Sequence, residues 1–408
     1  MRKAVLVSLD ALFDRDLAFL KPDGGLRRQL DAGTSCDQVK TVFPSLTYPA
    51  HTTLITGCDP RLTGIGHNQP FQPDKEKAQR AWYWDRSCVR VDTLFDAVRR
   101  SGGTSSSILW PVTGKNRNIR WALPEVLALP GENQALKMMS YGSPLWILRM
   151  EMKYGHLRTG IGEPGLSDFA TAVMLDVIRS RQPDLTAVHL VDLDEMRHLH
   201  GVFSREAMEA VARHEDRVAA LEETLRTVKG MEDALLIVVS DHGQEDITRT
   251  VELRSLLREH GLDKVILPQS NGMTAYFFSV TDDENALSGA YRYLDEHREQ
   301  FGISRMYNAV DLCAMHCVQG PVFAAEGAPG VVFSDLLEPF KREAATHGFG
   351  PSGSAVNCLF SVSGKGIRSG ARLPSMPMRD VAPTIAELMG ISLLDAEGVS
   401  HASEFIAK

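Results

Sequence analysis

ALLIVVSDHG (234–243) is a run of six apolar residues that stops on Ser240, Asp241 and His242. Its length, its branched aliphatic content and its lack of polar alternation predict a strand buried on both faces, as in a parallel sheet covered by helices. Two more runs finish on aspartate: AVLVSLD (4–10) on Asp10 and TAVHLVDLD (186–194) on Asp194. SSILWP (106–111) and CLFSVSGKG (358–366) complete the clear strands. Amphipathic stretches alternate with them: VDTLFDAVRRSGG (91–103), SDFATAVMLDVIRSRQ (167–182), SREAMEAVARHEDRVAALEETLRTVKG (204–230) and MRDVAPTIAELMG (378–390). The third opens on Ser204 and closes on Gly230, and in the fourth Pro383 marks the first turn or a kink. The expected class is α/β, with a mostly parallel central sheet flanked by helices on both faces. AYFFSV (275–280) and GVVFSD (330–335) read as strands at an edge or in a subsidiary sheet.

A chain of 408 residues suits one large catalytic domain, 1–408, with an insertion. The stretch 69–165 alternates less regularly and holds all five tryptophans, Trp82, Trp84, Trp110, Trp121 and Trp146. It reads as an insertion or cap over one end of the sheet. Its indoles fit either an aromatic wall for a substrate or an irregular core.

A net charge of −8 gives no general basic footprint for nucleic acid, so no nucleic-acid scaffold is expected as a partner. A small anionic substrate would need locally concentrated positive charge, which metal ions can supply. The six cysteines are scattered, as reduced thiols are in a cytoplasmic protein. Cys313, His316 and Cys317 lie close together, but no second half-site follows, so they read as core residues. MRKAVLVSLDALF (1–13) reads as a first strand rather than a signal peptide, because Asp10 interrupts its apolar run. No stretch approaches the ~20 apolar residues of a membrane span, so no membrane partner is expected.

In open α/β sheets, ligands bind outside the carboxyl ends of the strands. Three aspartates at such ends would converge on one crevice, where they repel each other unless cations hold them. His242 follows Asp241 directly. His198 stands four residues after Asp194, which on a helix shares its face. THGFG (346–350) presents His347 in a loop where glycine lets the backbone turn sharply. Carboxylate oxygen and imidazole nitrogen together suit Zn²⁺, with Mn²⁺ or Fe as alternatives. Taken singly, such an aspartate is an ordinary loop cap and such a histidine an ordinary hydrogen-bonded residue; their joint occurrence in this order points to metal. TYPAHTTLITG (47–57) reads as a helix from about Tyr48 to Thr56, closed by Gly57, with Thr47 at its N-cap. A helix N-terminus favours a phosphate, and a hydroxyl beside a metal can act as nucleophile. Thr47 is therefore expected to be both cap and nucleophile.

The segment FPSLTYPAHTTLITGCDPRLTGIGHN (43–68) resembles the nucleophile region of the nucleotide pyrophosphatase/phosphodiesterase family, within the alkaline phosphatase superfamily. The ordered elements VSLD, LTYPAH, DLDEMRHLHG, VSDHG and THG resemble that family's whole metal-binding series and span residues 10 to 347. The resemblance implies an alkaline-phosphatase-like fold and two divalent ions. Asp10, Thr47, Asp241 and His242 would surround one, and Asp194, His198 and His347 the other. Asp194 rather than Asp192 takes the family's place, and His200 is a spare. Asn68 matches the position whose amide meets the transferring phosphoryl oxygen. The implied reaction is double displacement on a small phosphate ester or nucleotide: Thr47 attacks phosphorus in line, and the phosphothreonine is then hydrolysed.

AWYW (81–84) falls where the family tunes leaving-group recognition. The sequence places no Lys or Arg clearly for gripping a monoester dianion, which favours diesters. A phosphonoacetate-type phosphonate hydrolase or a phosphomonoesterase on the same scaffold is the alternative. A sulfatase is disfavoured, since CDPRLTG (58–64) carries its arginine one residue too early for Cys-x-Pro-x-Arg. A non-catalytic metal sensor would require neither Thr47 nor Asn68.

Overall fold

The apolar runs pair into one nine-stranded sheet in the computed structural model, which describes residues 1–336, 343–350 and 356–407. Its strands are β1 (Ala4–Leu9), β2 (Thr34–Lys40), β3 (Ser105–Ile108), β4 (Trp121–Leu123), β5 (Leu185–Leu190), β6 (Leu235–Val239) and β7 (Cys358–Ser363). Two short edge pieces, β8 (Ala371–Arg372) and β9 (Met376–Pro377), complete it. The order across the sheet is β8, β2, β7, β6, β1, β5, β3, β4, with β9 also on β2. Neighbours run parallel except at β7, which opposes both β2 and β6. β1 lies between β5 and β6 with Leu9 opposite Leu190 and Ser8 opposite Val239, so three strands end at one level.

The central strands β1, β5 and β6 are mostly apolar because both faces are covered. Val5, Val7 and Leu9 join one core with residues of helices Gly165–Arg181 and Arg205–Thr227. Ala4 and Leu6 point the other way, into a second core with helices Thr47–Thr56, Leu94–Arg100 and Val381–Met389. Period-two alternation thus divides each strand between two helical layers. Helix ends follow local chemistry. Ser204 accepts from Ala207 N, Thr93 caps Leu94–Arg100, and Pro383 is third in its helix, where a missing N–H has no intrahelical acceptor to lose.

Two expectations need correction. The run 186–194 is not one strand: β5 ends at Leu190, and Asp192–His200 is a helix. Its first turn carries Asp192, Asp194 and Glu195 and its last Arg197, His198 and His200, the charge order that a helix dipole favours. Asp194 therefore stands in a helical turn, not at a strand end. The stretch 69–165 does not simply overlie the sheet either, since β3 and β4 come from it and extend the sheet beyond β5. AYFFSV lies in a subsidiary sheet, one of the two places expected for it. Thr274–Ser279 belongs to a four-stranded antiparallel sheet with Ile266–Ser270, Phe323–Gly327 and Ile303–Tyr307, which has its own core. Val331–Ser334 pairs in parallel with Arg249–Glu252.

Candidate metal centre

The chain turns sharply where β1 and β6 end. Asp10 follows β1, and Asp241 and His242 lie just past β6, all three buried. One ligand atom from each lies within 4.8 Å of the others. The Asp192–His200 helix starts past β5 and brings Asp194 alongside, and a second group with the same 4.8 Å limit comprises Asp194, His242 and His347. His242 is common to both groups. His198 Nε2 is 3.5 Å from Asp194 Oδ1, and the His198 and His347 rings are 5.2 Å apart. His200 is exposed on the same helix. His347 reaches in because the next residue, Gly348, has φ +88°, and a Cβ there would stand 1.5 Å from Asn271 O.

Thr47 is the first residue of its helix, not its cap. The cap position is Leu46, whose side chain has no acceptor, and Thr47 Oγ1 instead lies 3.1 Å from His242 Nε2. The helix terminus finds its acceptor elsewhere: Tyr48 N donates to Asn68 Oδ1 at 2.9 Å. That bond fixes the orientation of the Asn68 amide and leaves its Nδ2 hydrogens as donors. The helix closes on Gly57 at φ +69°, as expected. The two roles expected of Thr47 are thus divided: Asn68 serves the helix terminus, and the Thr47 hydroxyl faces the histidine cluster.

Burial pushes Asp10 up to about 6, aided by nearby Asp194. Burial, reinforced by Asp10, lifts Asp241 well above the usual carboxylate range. Asp10 Oδ1 and Asp241 Oδ2 accept no hydrogen bond although both are buried. Two anionic oxygens without donors in a dry pocket are costly, and a cation is the group that removes the cost. Burial also holds His242 low and His347 down to about 4, which keeps both imidazoles neutral, as a metal ligand must be. Burial opposes charge on His198 as well, but Asp194 and Glu343 outweigh it and raise this histidine. His347 Nδ1 lies 3.2 Å from Ser45 O and His198 Nδ1 lies 2.9 Å from Ala345 O, so Nε2 of each faces the centre. The donor set fits a pair of divalent ions.

The family model for type I phosphodiesterase / nucleotide pyrophosphatase matches residues 4–317. The chain belongs to this family. It is 24% identical over 234 residues to an ectonucleotide pyrophosphatase/phosphodiesterase of Caenorhabditis elegans, covering 57% of this chain and 27% of that protein. It is 21% identical over 410 residues to human ectonucleotide pyrophosphatase/phosphodiesterase family member 5, covering 97% of this chain and 76% of that protein. The chain spans only 20–27% of the length of the first listed relatives, the nematode protein and mammalian family member 1. In fold it is similar to murine family member 5, solved as an inactive variant in complex with AMP, with TM-score 0.72, 17% identity and 98% and 97% of the two chains covered. The human family member 5 structure gives TM-score 0.72 at 19% identity over 97% of each chain. The fold is thus alkaline-phosphatase-like.

Beside this phosphodiesterase-family centre lies a cavity of about 180 Å³, lined among others by Asn68, Lys77, Trp82, His198, Phe333 and His347. Of the tryptophans, Trp82 forms part of its wall, edge-on to Tyr48, while Trp84 and Trp110 are buried in the protein. Lys77 and Arg80 both line it, and Lys77 Nζ lies 3.9 Å from Glu343 Oε1. Arg80 is held by Asp335 at 2.8 and 3.0 Å.

Sequence reasoning missed the groups behind the centre. His189 Nε2 lies 2.8 Å from Asp10 Oδ2, Gln244 donates to the carboxylate and carbonyl of Asp194, and Ala11 N donates to Asp241 Oδ1 at 3.2 Å. The signal for His189 was present: it is the one titratable residue in the apolar strand β5.

Proposed function

We propose that the chain is a metal-dependent phosphoric ester hydrolase, acting as a phosphodiesterase or nucleotide pyrophosphatase through a covalent intermediate on Thr47. The observation that carries this is the placement of the Thr47 hydroxyl, 3.1 Å from the histidine common to both carboxylate–imidazole groups. Asp10, Asp241 and His242, with Thr47, would hold one ion; Asp194, His198 and His347 would hold the other. Zinc suits this mixed oxygen and nitrogen set best. A bound ion pair would lower the pKa of the attacking hydroxyl and stabilise the leaving oxygen.

The residues supply the rest. The helix start orients Thr47 Oγ for in-line attack on phosphorus. The Asn68 Nδ2 hydrogens donate to a phosphoryl oxygen, and the positive end of the helix dipole adds potential on the same side. The P–O bond to the leaving group breaks as the Thr47 O–P bond forms, and water then returns Thr47 to its free state. The partner is a small phosphate ester or nucleotide, and Trp82 offers a flat surface for an aromatic leaving group. A phosphomonoester or phosphonate substrate on the same scaffold is the second reading. All six cysteines are free thiols, which supports a reducing, cytoplasmic setting.

The test is a panel of bis-p-nitrophenyl phosphate, p-nitrophenyl phosphate and phosphonoacetate on metal-analysed protein. Thr47→Ala should keep its metal and lose turnover by several orders of magnitude. Surviving activity in that variant would show that Thr47 is not the nucleophile.

A further inference from the structure

The Asp10 carboxylate has two unlike oxygens. Oδ1 lies among the ligand atoms of Asp241 and His242 and accepts no hydrogen bond, while Oδ2 is held by His189 Nε2 at 2.8 Å. The far side of the same ring is held in turn, with His189 Nδ1 3.0 Å from Glu125 Oε2 and 3.2 Å from Leu109 O. His189 is 1% exposed and sits in β5 opposite Ser8 of β1, so the sheet itself sets its distance from Asp10. A second imidazole, His51, packs 4.2 Å from it, but its own nitrogens go to Thr47 O and Ser8 Oγ. Both ring nitrogens of His189 face oxygens, so the ring bridges Glu125 and Asp10. A carboxylate held through one oxygen is oriented to present the other to a metal.

We propose that His189, braced by Glu125, is a positioning residue that makes Asp10 a one-oxygen ligand and so sets the affinity of the metal position beside Thr47. This rests on the two-metal reading above. It separates the two positions, since Asp194 is oriented by a different group, Gln244. Loss of His189 frees the Asp10 carboxylate to rotate, and ligand-orienting partners of this kind typically change metal affinity by roughly 10–100-fold.

Metal-free protein titrated with Zn²⁺ alone, with bound metal counted at each step, tests it. Wild type should fill two positions; if it binds no zinc, the metal reading itself fails. In His189→Leu one step should weaken by roughly 10–100-fold, the same step that Asp241→Asn removes, and the other should be unchanged. His189→Gln keeps a donor near the Nε2 position and should restore most of that loss, which a merely space-filling role for the ring would not require. Two unchanged steps in His189→Leu, equal weakening of both, or no difference between Leu and Gln would overturn the proposal. Should His189→Leu fail to fold, Glu125→Ala replaces it, because Glu125 is partly exposed. That variant should weaken the same step to a smaller degree, and an unchanged step there would overturn the proposal equally.

Discussion

The Asp10 carboxyl sits in a setting where burial makes its anion costly, and without metal it titrates at about 6. A metal ion can bind only the ionised form. Below pH 6 the ion must displace a proton, so affinity should fall by about tenfold per pH unit for each proton released. Above that value this contribution should flatten. Zinc titrations between pH 5 and 8 check it, and an affinity rising toward acid pH would contradict it. At this scale the sequence was most legible where chemistry is concentrated in short motifs: Asp10, Thr47, Asp241, His242 and His347 meet as expected. It was least legible where one residue's role depends on what folds against it. Gln244 and Arg197 are ordinary in their local sequence, and although His189 stands out as the one titratable residue of its strand, only the packing of distant strands and loops shows what the three hold. The capping role assigned to Thr47 went instead to Asn68, because the N-cap position fell one residue earlier than the local pattern suggested.

Among the elements, the join between the loop after β1 and the Asp192–His200 helix carries both halves of the centre. Arg197, 0% exposed, donates to Val202 O at 3.1 Å, to Ala11 O and to Asp16, and its guanidinium lies 4.6 Å from the centre of the Phe13 ring. Ala11 stands at φ +61° and its N–H serves Asp241, so the same short loop is tied to the neighbouring helix and to the β6 end. Arg197→Met would leave the buried Asp16 carboxylate unpaired, a change that costs about 3–5 kcal/mol in comparable settings. Denaturant unfolding should show that loss, and Arg197→Met with Asp16→Leu together should recover much of it. An unaffected single variant would mean that the pair contributes nothing. Apolar periodicity and caps located the helices read from the sequence to within a few residues, as Ser204 and Gly57 illustrate. It could not divide TAVHLVDLD, since Val191, Asp192 and Leu193 continue the apolar rhythm of β5 while the chain has already turned into a helix.

For the molecule as a whole, the seven candidate ligands span residues 10 to 347 and come from the ends of β1 and β6, two helices and a loop beside the smaller sheet. Ions held there would cross-link segments distant in sequence. Chelation should therefore lower the thermal midpoint reversibly: each site filled at 1,000 times its dissociation constant adds about 4 kcal/mol. A midpoint indifferent to chelator and to restored zinc would argue against resident ions. The mostly parallel sheet with helices on both faces was legible because both-face burial leaves mostly apolar runs in its central strands. The strand order, the inclusion of β4 and the separate core of the smaller sheet were not, because they depend on pairing between segments far apart. The account as a whole rests on Thr47 carrying the substrate's phosphorus during turnover. The most direct measurement is rapid acid quenching of the protein with bis-p-nitrophenyl phosphate, followed by peptide mass mapping. The predicted result is a p-nitrophenyl phosphoryl group on the peptide containing Thr47, absent from Thr47→Ala. Turnover with that peptide never modified, or with the group on another residue, would contradict it.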